Sequence, residues 1–524
     1  MAIAAKTYYS LDSKRKVPAF IHVEKCWPAV DKYSPCEVNC PLHMDVPNYI
    51  IAVAEGNANK ALAIIRETNP LPSICGRVCH HPCETECNRK VVDSPIAIQW
   101  LKQFAADWGQ EEKPTPIKKT KKSKVAIVGS GPAGLTAAYD LAKKGYSVAI
   151  FEADSVPGGI LASAIPDFIL SKEAVQKDVN YIKALGVQIH TNIKIGKDVT
   201  LDALKEQGFK AILIATGAQN SVMLKISGAD LKGVTPALSY LKEAKGGTLK
   251  PFNGRVWVIG GGAVAMDVAR TAVRNGAKEI HVACLESRES MPAFDWEIEA
   301  AEKENVHIHP SLAPQEFTSK NVSKVSGVKF KRVTSTSLDS DGRIRWTLAE
   351  GTGSDYEIEA DAVIIAIGQA IDKDNLPVKS ADLSRKGVLV INEATGETNV
   401  AGVFAAGDVS GTGRTVSDSM AAGRTAAISI DQYLSGVPVS PSKTTMAVIT
   451  IKPEQVPGYF VKRERWEMPQ LQSRQAVKTN KEVHLGYAQW QAIEEANRCL
   501  NCRMCANCVF ERGQLCFETA ARLL

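Results

Sequence analysis

The chain has no long apolar run. None of its segments approaches the ~20 uninterrupted apolar residues that a membrane-spanning helix requires. The first residues, Met1 to Pro18, alternate apolar, polar and basic side chains and lack the apolar stretch of a secretory signal. A cytoplasmic protein is expected, in which disulfides are rare and grouped thiols more often bind metal. Charge of one sign is not in large excess either: 63 Lys and Arg stand against 57 Asp and Glu, a net charge of +6. Much of it lies in Lys118, Lys119, Lys121, Lys122 and Lys124, after Pro114 and Pro116. A solvated linker accounts for that run; a patch for nucleic acid or an acidic partner is the other reading, and no nucleic acid is expected. Cysteine is nearly missing from the middle: between Cys87 and Cys499 only Cys284 occurs.

What is present is a soluble, globular composition, with 45% hydrophobic and 23% charged residues. At 524 residues the chain exceeds one hydrophobic core, so several units are expected. Two glycine-rich turns dominate. The first follows the apolar strand Val125-Ala126-Ile127-Val128 and reads Gly129-Ser130-Gly131-Pro132-Ala133-Gly134. A helix over 135–144 and a strand over 146–151 follow, ending at Glu152. This is a dinucleotide-binding unit. Gly129 permits the tight turn, Gly131 lets backbone approach a pyrophosphate, and Gly134 lets helix pack on strand. The helix N-terminus offers free N–H groups to phosphate, and Glu152 offers a carboxylate to ribose hydroxyls.

The second unit repeats the plan. Val256 to Ile259 leads into Gly260-Gly261-Gly262-Ala263-Val264-Ala265, a helix runs through Arg274, and the strand 280–285 ends at Glu286. A carboxylate there repels the 2′-phosphate of NADP and suits NAD, although Ser287 and Arg288 follow and offer a phosphate grip. NADH is expected over NADPH. Two further apolar strands, 211–217 and 362–368, end at small-residue crossovers. Gly402 to Asp408 is a strand ending in Gly-Asp, with a helix over 416–434 behind it.

Together these segments resemble the flavoproteins with two dinucleotide-binding domains, and within them the glutamate synthase small-subunit family. Pro157-Gly158-Gly159-Ile160-Leu161, Ala164 to Phe168, Gly260 to Asp267 and Ser290-Met291-Pro292-Ala293 carry the likeness. It implies that the first domain holds FAD, through Gly129, Gly131, Pro132, Ala133, Gly134, Glu152, Gly159, Thr216, Gly407, Asp408 and Val416. Asp408 would bind the ribityl chain. It implies that an inserted second domain holds NAD(P)H through Gly260, Gly262, Ala263, Val264, Glu286, Ser287, Arg288 and Gly368. The family usually has two arginines where Leu285 and Glu286 stand, a departure that bears on NADPH.

Cysteines crowd both ends. Cys36-x3-Cys40 is followed by Cys75, Cys79, Cys83 and Cys87. On one helix, a spacing of four drifts about 40° per step, so the first and last thiols end about 120° apart. Pro82 also interrupts any helix. The four thiols are therefore expected to divide between two metal centres. Between the groups, Asp45 caps one expected helix and a second stops near Pro70, folding the chain back. The stretch Asn69 to Cys79 resembles the family's double iron–sulfur domain, which holds two four-iron clusters. Eight ligands are needed and seven cysteines are present, counting Cys26, which leaves one non-cysteine ligand or only one full cluster. Cys26 is either a ligand or a plain buried or free thiol. Disulfides and zinc are the minor alternatives for the other six; zinc's usual C-x2-C pairs are missing here.

At the other end, Cys499-x2-Cys502-x2-Cys505-x2-Cys508 precedes Cys516. C-x2-C-x2-C holds three corners of a four-iron cluster in ferredoxins, with a remote fourth ligand. One tail cluster is expected, with one of the five cysteines to spare; zinc is the alternative. The expected class is thus α/β: two Rossmann-like domains, an α-helical double iron–sulfur domain before them and a ferredoxin-like segment after. The boundaries read 1–112 for the iron–sulfur domain, 113–123 for the linker, 124–235 and 361–440 for the FAD domain, 236–360 for the NAD(P)H domain and 441–524 for the tail. The expected function is an electron-transfer flavoprotein subunit. It would exchange a hydride between NAD(P)H and FAD and pass single electrons through 4Fe–4S clusters to or from a partner subunit or ferredoxin, docked near the tail. The alternative within the family is a small subunit of NADPH-dependent glutamate synthase. A disulfide reductase needs a cysteine pair beside the flavin, and an assembly subunit with vestigial sites does not explain intact glycine loops.

Overall fold

The computed structural model describes residues 6–9, 18–22, 32–111, 114–321, 323–339, 344–351, 355–413, 415–441, 446–456 and 460–502. Cys26, Cys505, Cys508 and Cys516 lie outside the described residues.

Buried apolar runs make the central strands of two parallel sheets, as expected where both faces are covered. The first has the strand order Val403–Ala405, Phe209–Ile214, Lys124–Val128, Ser147–Phe151 and Gln188–His190. Helix Pro132–Lys143 follows its first glycine loop and packs along Val416–Leu434. The helices approach so closely that a side chain at Gly423 would stand 2.2 Å from the Ala133 carbonyl oxygen.

The second sheet has the order Val306–His309, Glu279–Ala283, Arg255–Ile259, Ala362–Ile365 and Val234–Pro236. A four-stranded antiparallel sheet built on Gly327–Leu338 adjoins it. Strands Asn220–Ser221 and Gln369–Ala370 pair antiparallel at the crossing between the two units. The strand Ala362–Ile365 therefore belongs with the second sheet, not with a first domain resuming at residue 361. The return crossing falls after Ile365, and Val234–Pro236 likewise lies in the second sheet. Two apolar strands with glycine ends look alike in sequence; sheet membership is a long-range property.

The N-terminal unit is helical: Val46–Ala54, Ala58–Thr68, Pro72–Val78 and Ile98–Trp108. Asp45 caps the first helix by accepting from the Asn48 N–H at 3.3 Å. Arg66 fastens this unit to the first nucleotide domain through Asp178 at 3.0 Å, and fully buried Asp178 also accepts from the Ile74 N–H. The C-terminal extension folds back onto the same helices. Strand Ala447–Val448 pairs with Lys32–Tyr33, and helix Gln489–Ala496 packs against Val46–Ala54. No helix among the described residues is long and apolar enough to cross a membrane.

Candidate functional site

The first glycine loop opens on a cavity of about 1070 Å³. Gly129 takes φ +102°, and a Cβ there would stand 2.4 Å from the Ala215 carbonyl oxygen, so only glycine fits. Gly134, where a Cβ would stand 2.1 Å from the Gly129 carbonyl oxygen, lies beneath the loop and does not line the cavity. At Gly131 a Cβ would meet nothing within 4 Å. That open cradle at the start of helix Pro132–Lys143 is what a pyrophosphate requires. Glu152 accepts from the backbone N–H groups of Ser130 and Asp154, each at 2.9 Å, and from the Ser130 hydroxyl. That hydroxyl oxygen accepts from the Gly158 N–H at 2.8 Å, so one serine ties Glu152 to the Gly158–Gly159 turn.

Gly129, Gly131, Pro132, Ala133, Glu152, Gly159, Thr216, Gly407, Asp408 and Val416 all line this one cavity. Burial pushes the Asp408 carboxyl up to about 6. Helix Val416–Leu434 begins at the cavity, with Thr415 capping it through the Asp418 N–H. Its N-terminus brings partial positive charge to the wall. The donor set and the open glycine cradle fit FAD.

The second glycine loop is built in the same way. Gly260 takes φ +141°, with a hypothetical Cβ 2.2 Å from the Ala366 carbonyl oxygen, while a Cβ at Gly262 meets open space. A Cβ at Gly261 would lie 3.1 Å from Glu286 Oε2, so Glu286 leans on the second loop position as Glu152 does at Ser130. Ala263 and Val264 reach the large cavity; Gly260, Gly262, Glu286, Ser287, Arg288 and Gly368 do not. Gly368 instead accepts from Val222 N–H at the crossing between the units. Arg288 is half-exposed, 3.7 Å from Asp295 and 3.6 Å from Glu302. This second cradle fits a nicotinamide dinucleotide.

Further residues complete the wall. Arg77, Cys79, His80, His81 and Trp100 enter from the helical unit, and Asp267, Phe294 and Trp296 from the second domain. His81 packs on Trp296 at 4.5 Å between ring centroids, and Trp296 on Phe294 at 4.4 Å. The enclosed position of Asp267, reinforced by Glu297, pushes its carboxyl up to about 8. The sequence pointed at three of these, Arg77 and Cys79 through the stretch Asn69 to Cys79 and Asp267 through Gly260 to Asp267, and at none of the rings.

The described N-terminal thiols are all free. Cys79 lies on the cavity wall, and the Cys75 thiol is 3.4 Å from Met420 Sδ on the helix that starts there. Cys40, Cys75, Cys79 and Cys83 neighbour one another and surround buried Lys102. Burial alone would lower the Lys102 ammonium's pKa; the thiols of Cys79, Cys75, Cys83 and Cys40 outweigh it and hold it raised. Among the described residues no three Cys, His, Asp or Glu side chains converge as ligands of a single metal ion. A four-iron cluster spreads four thiolates around a cube, and this donor set suits it. Cys284 is buried, its thiol pushed up to about 12 by burial and then by Glu286.

Comparison with known proteins agrees. Residues 123–425 match the pyridine nucleotide-disulphide oxidoreductase family, and residues 14–114 match the 4Fe-4S cluster domain II of dihydropyrimidine dehydrogenase. The NADP(+)-dependent formate dehydrogenase subunit beta of Moorella thermoacetica is 36% identical over 90% of this chain and 70% of its own. The NADPH-Fe(3+) oxidoreductase subunit beta of Geobacter sulfurreducens is 36% identical over 90% and 76%. The glutamate synthase [NADPH] small chain of Azospirillum brasilense is 34% identical over 76% and 86%. The solved structure of FprA, a Mycobacterium tuberculosis oxidoreductase, shares the fold, with a TM-score of 0.52 at 17% identity over 72% of this chain and 99% of FprA. The chain is an NAD(P)H- and FAD-dependent oxidoreductase, and it belongs to the glutamate synthase small-chain-like iron–sulfur flavoprotein family.

Proposed function

We propose that the chain is the nucleotide-handling, electron-transfer subunit of a larger oxidoreductase, exchanging reducing equivalents between NADH and a partner subunit or ferredoxin. The observation that carries this is the meeting of Cys79 with the cavity of the first glycine loop. Bound FAD supplies the exchange between a hydride's electron pair and single electrons, which four-iron clusters conduct. The chain's own residues position and charge these groups. Gly131 and the start of helix Pro132–Lys143 hold the pyrophosphate, Glu152 the ribose and Asp408 the ribityl hydroxyls. The N-terminus of Val416–Leu434 favours negative charge in the cavity. Cys40, Cys75, Cys79 and Cys83 hold a cluster at its rim, with Lys102 offsetting the thiolates' charge. Gly260, Gly262, Ala263 and Val264 hold the nicotinamide dinucleotide. Glu286 beside Gly261 makes NADH the preferred form, since a 2′-phosphate there would face a carboxylate. The partner docks at the side of the C-terminal cysteines.

A second reading, a small subunit of NADPH-dependent glutamate synthase, draws on the likeness to the Azospirillum chain and on Ser287 and Arg288 as a phosphate grip. Anaerobic titration of the full chain with NADH tests the first. We expect bleaching of the flavin together with an electron paramagnetic resonance signal from reduced clusters; bleaching alone would overturn electron transfer. Glu286→Arg should move preference from NADH toward NADPH by about tenfold or more, the worth of one charged contact. An unchanged ratio would hand the choice to Ser287 and Arg288.

A further inference from the structure

Eight of the described cysteines flank the nucleotide domains in sequence, and they fall into two sets of four. Cys40, Cys75, Cys79 and Cys83 make the set at the flavin cavity. The remaining four are Cys36, Cys87, Cys499 and Cys502, and they line a second, small cavity whose other walls include Ile50 and Ile98. Two of these residues come from each end of the chain.

We propose that Cys499 and Cys502 complete an iron–sulfur site with Cys36 and Cys87, so that one four-iron cluster straps the C-terminal extension to the N-terminal domain. The proposal rests on the iron–sulfur reading above and says which residues ligate. It removes the shortfall of seven cysteines for eight ligand places without calling on Cys26. It also withdraws two of the four thiols that a self-contained tail cluster would need, because each thiolate serves one iron of one cluster.

Three observations support it. First, the loop after Cys499 repeats the loop after Cys79. In each, the residue two positions on turns left-handed (His81 at φ +42°, Asn501 at φ +48°) and aims its backbone N–H at the cysteine sulfur, at 3.3 and 3.4 Å. A non-glycine residue in that conformation is uncommon and marks a site held by its surroundings. Second, a donor reaches a sulfur of this set: the Asn88 amide lies 3.5 Å from Cys502 Sγ. A neutral thiol is a weak acceptor, whereas a metal-bound thiolate uses such donors. Third, the tail is pinned here by contacts other than the cysteines. Arg498, 1% exposed, bonds Glu495 at 2.6 Å and Asp93 at 2.8 Å, while Arg89 donates to the Arg498 carbonyl at 2.8 Å. Asn88, next to Cys87, donates to the Ile449 carbonyl at 3.0 Å and accepts from the Ile451 N–H at 3.4 Å. Contacts besides the cysteines thus hold the wall of this cavity.

Iron and acid-labile sulfide per chain, measured in the full-length protein, test the strap. Cys36→Ala and the pair Cys499→Ala/Cys502→Ala should each lose about four irons, and all three substitutions together should lose no more than about four, because all act on one cluster. Each should abolish the same paramagnetic resonance signal in the dithionite-reduced protein. Losses that add to about eight irons, or full iron in the Cys499/Cys502 variant, would overturn the strap and return these residues to a site of their own. Retained flavin reports folding. If an alanine variant loses flavin, the single variants Cys36→Ser and Cys502→Ser replace it: both should shift one and the same signal, and shifts in two different signals would overturn the proposal. Wild-type protein free of iron and sulfide would sink the iron–sulfur reading itself, which separates that failure from an additive loss.

Discussion

Glu152 and Glu286 end corresponding strands, and each carboxylate rests on the second position of its glycine loop. The difference lies in that position: Ser130 supplies a hydroxyl that links Glu152 to the Gly158–Gly159 turn, whereas Gly261 supplies none. The first carboxylate is thus cross-linked to a second turn through a hydroxyl, and the other is not. Gly131 is the residue where the first cradle is most easily tested. Gly131→Val puts a branched side chain into it at a position where a Cβ meets nothing within 4 Å. We expect a folded protein with its melting temperature changed little and its flavin content reduced several-fold; full flavin content would contradict the cradle. These residues were legible in sequence because glycine, helix start and terminal acid lie within one short stretch. His81, Trp296 and Lys102 were not legible. Each owes its place to a partner far along the chain, and none belongs to a motif with fixed spacing.

Among the elements, the strands and helices next to the glycine loops follow directly from local pattern. Lys124–Val128 and Val416–Leu434 fall where periodicity and turn residues put them. Ala362–Ile365 shows the limit: its composition identifies a buried strand, but only its pairing with Val256–Ile259 reveals the sheet it joins. Helix Ala263–Arg274 illustrates how an element is fixed by charge. Arg270 and Arg274 bind Glu304, 4% exposed, at 2.8 and 2.5 Å, and Arg274 stacks on Phe168 at 3.8 Å. Burial alone would raise the Glu304 carboxyl, but the hydrogen bonds and charges of Arg274 and Arg270 outweigh it and hold it below its ordinary value. Its contribution is present above the unfolded value of about 4.3 and is lost as pH falls through the lower folded value. Glu304→Gln should cost about 3 kcal/mol in denaturant unfolding near neutral pH, since it leaves two buried guanidinium groups short of charge. The gap to wild type should narrow in acid. A constant gap down to low pH would show that packing, not ionisation, carries the contribution.

At the scale of the whole molecule, the described N-terminal and C-terminal cysteine segments meet. The C-terminal extension reads in sequence as a separate ferredoxin-like tail because Cys499-x2-Cys502-x2-Cys505-x2-Cys508 looks complete in itself. In the fold, strand Ala447–Val448 and helix Gln489–Ala496 lie against the N-terminal unit, and buried Glu495 is bonded to the Ala97 N–H at 2.9 Å and to Arg498. Glu495→Gln should loosen this docking and cost about 3 kcal/mol, the scale for breaking a buried pair. Limited proteolysis near residues 441–446 would report it, and an unchanged cleavage pattern would show that the extension is held by its apolar contacts alone. Spacing gives the chemistry of a cysteine group but not its partners, which depend on contacts some 400 residues apart in a chain of this size.

The central claim is that reducing equivalents leave the flavin cavity through the thiol set that reaches it at Cys79. Rapid mixing of NADH with the Cys79→Ala/Cys83→Ala variant, following flavin absorbance and the cluster signals together, tests it most directly. We expect the flavin to bleach as in wild type while the remaining cluster stays oxidised; a remaining cluster reduced at the wild-type rate would contradict the claim.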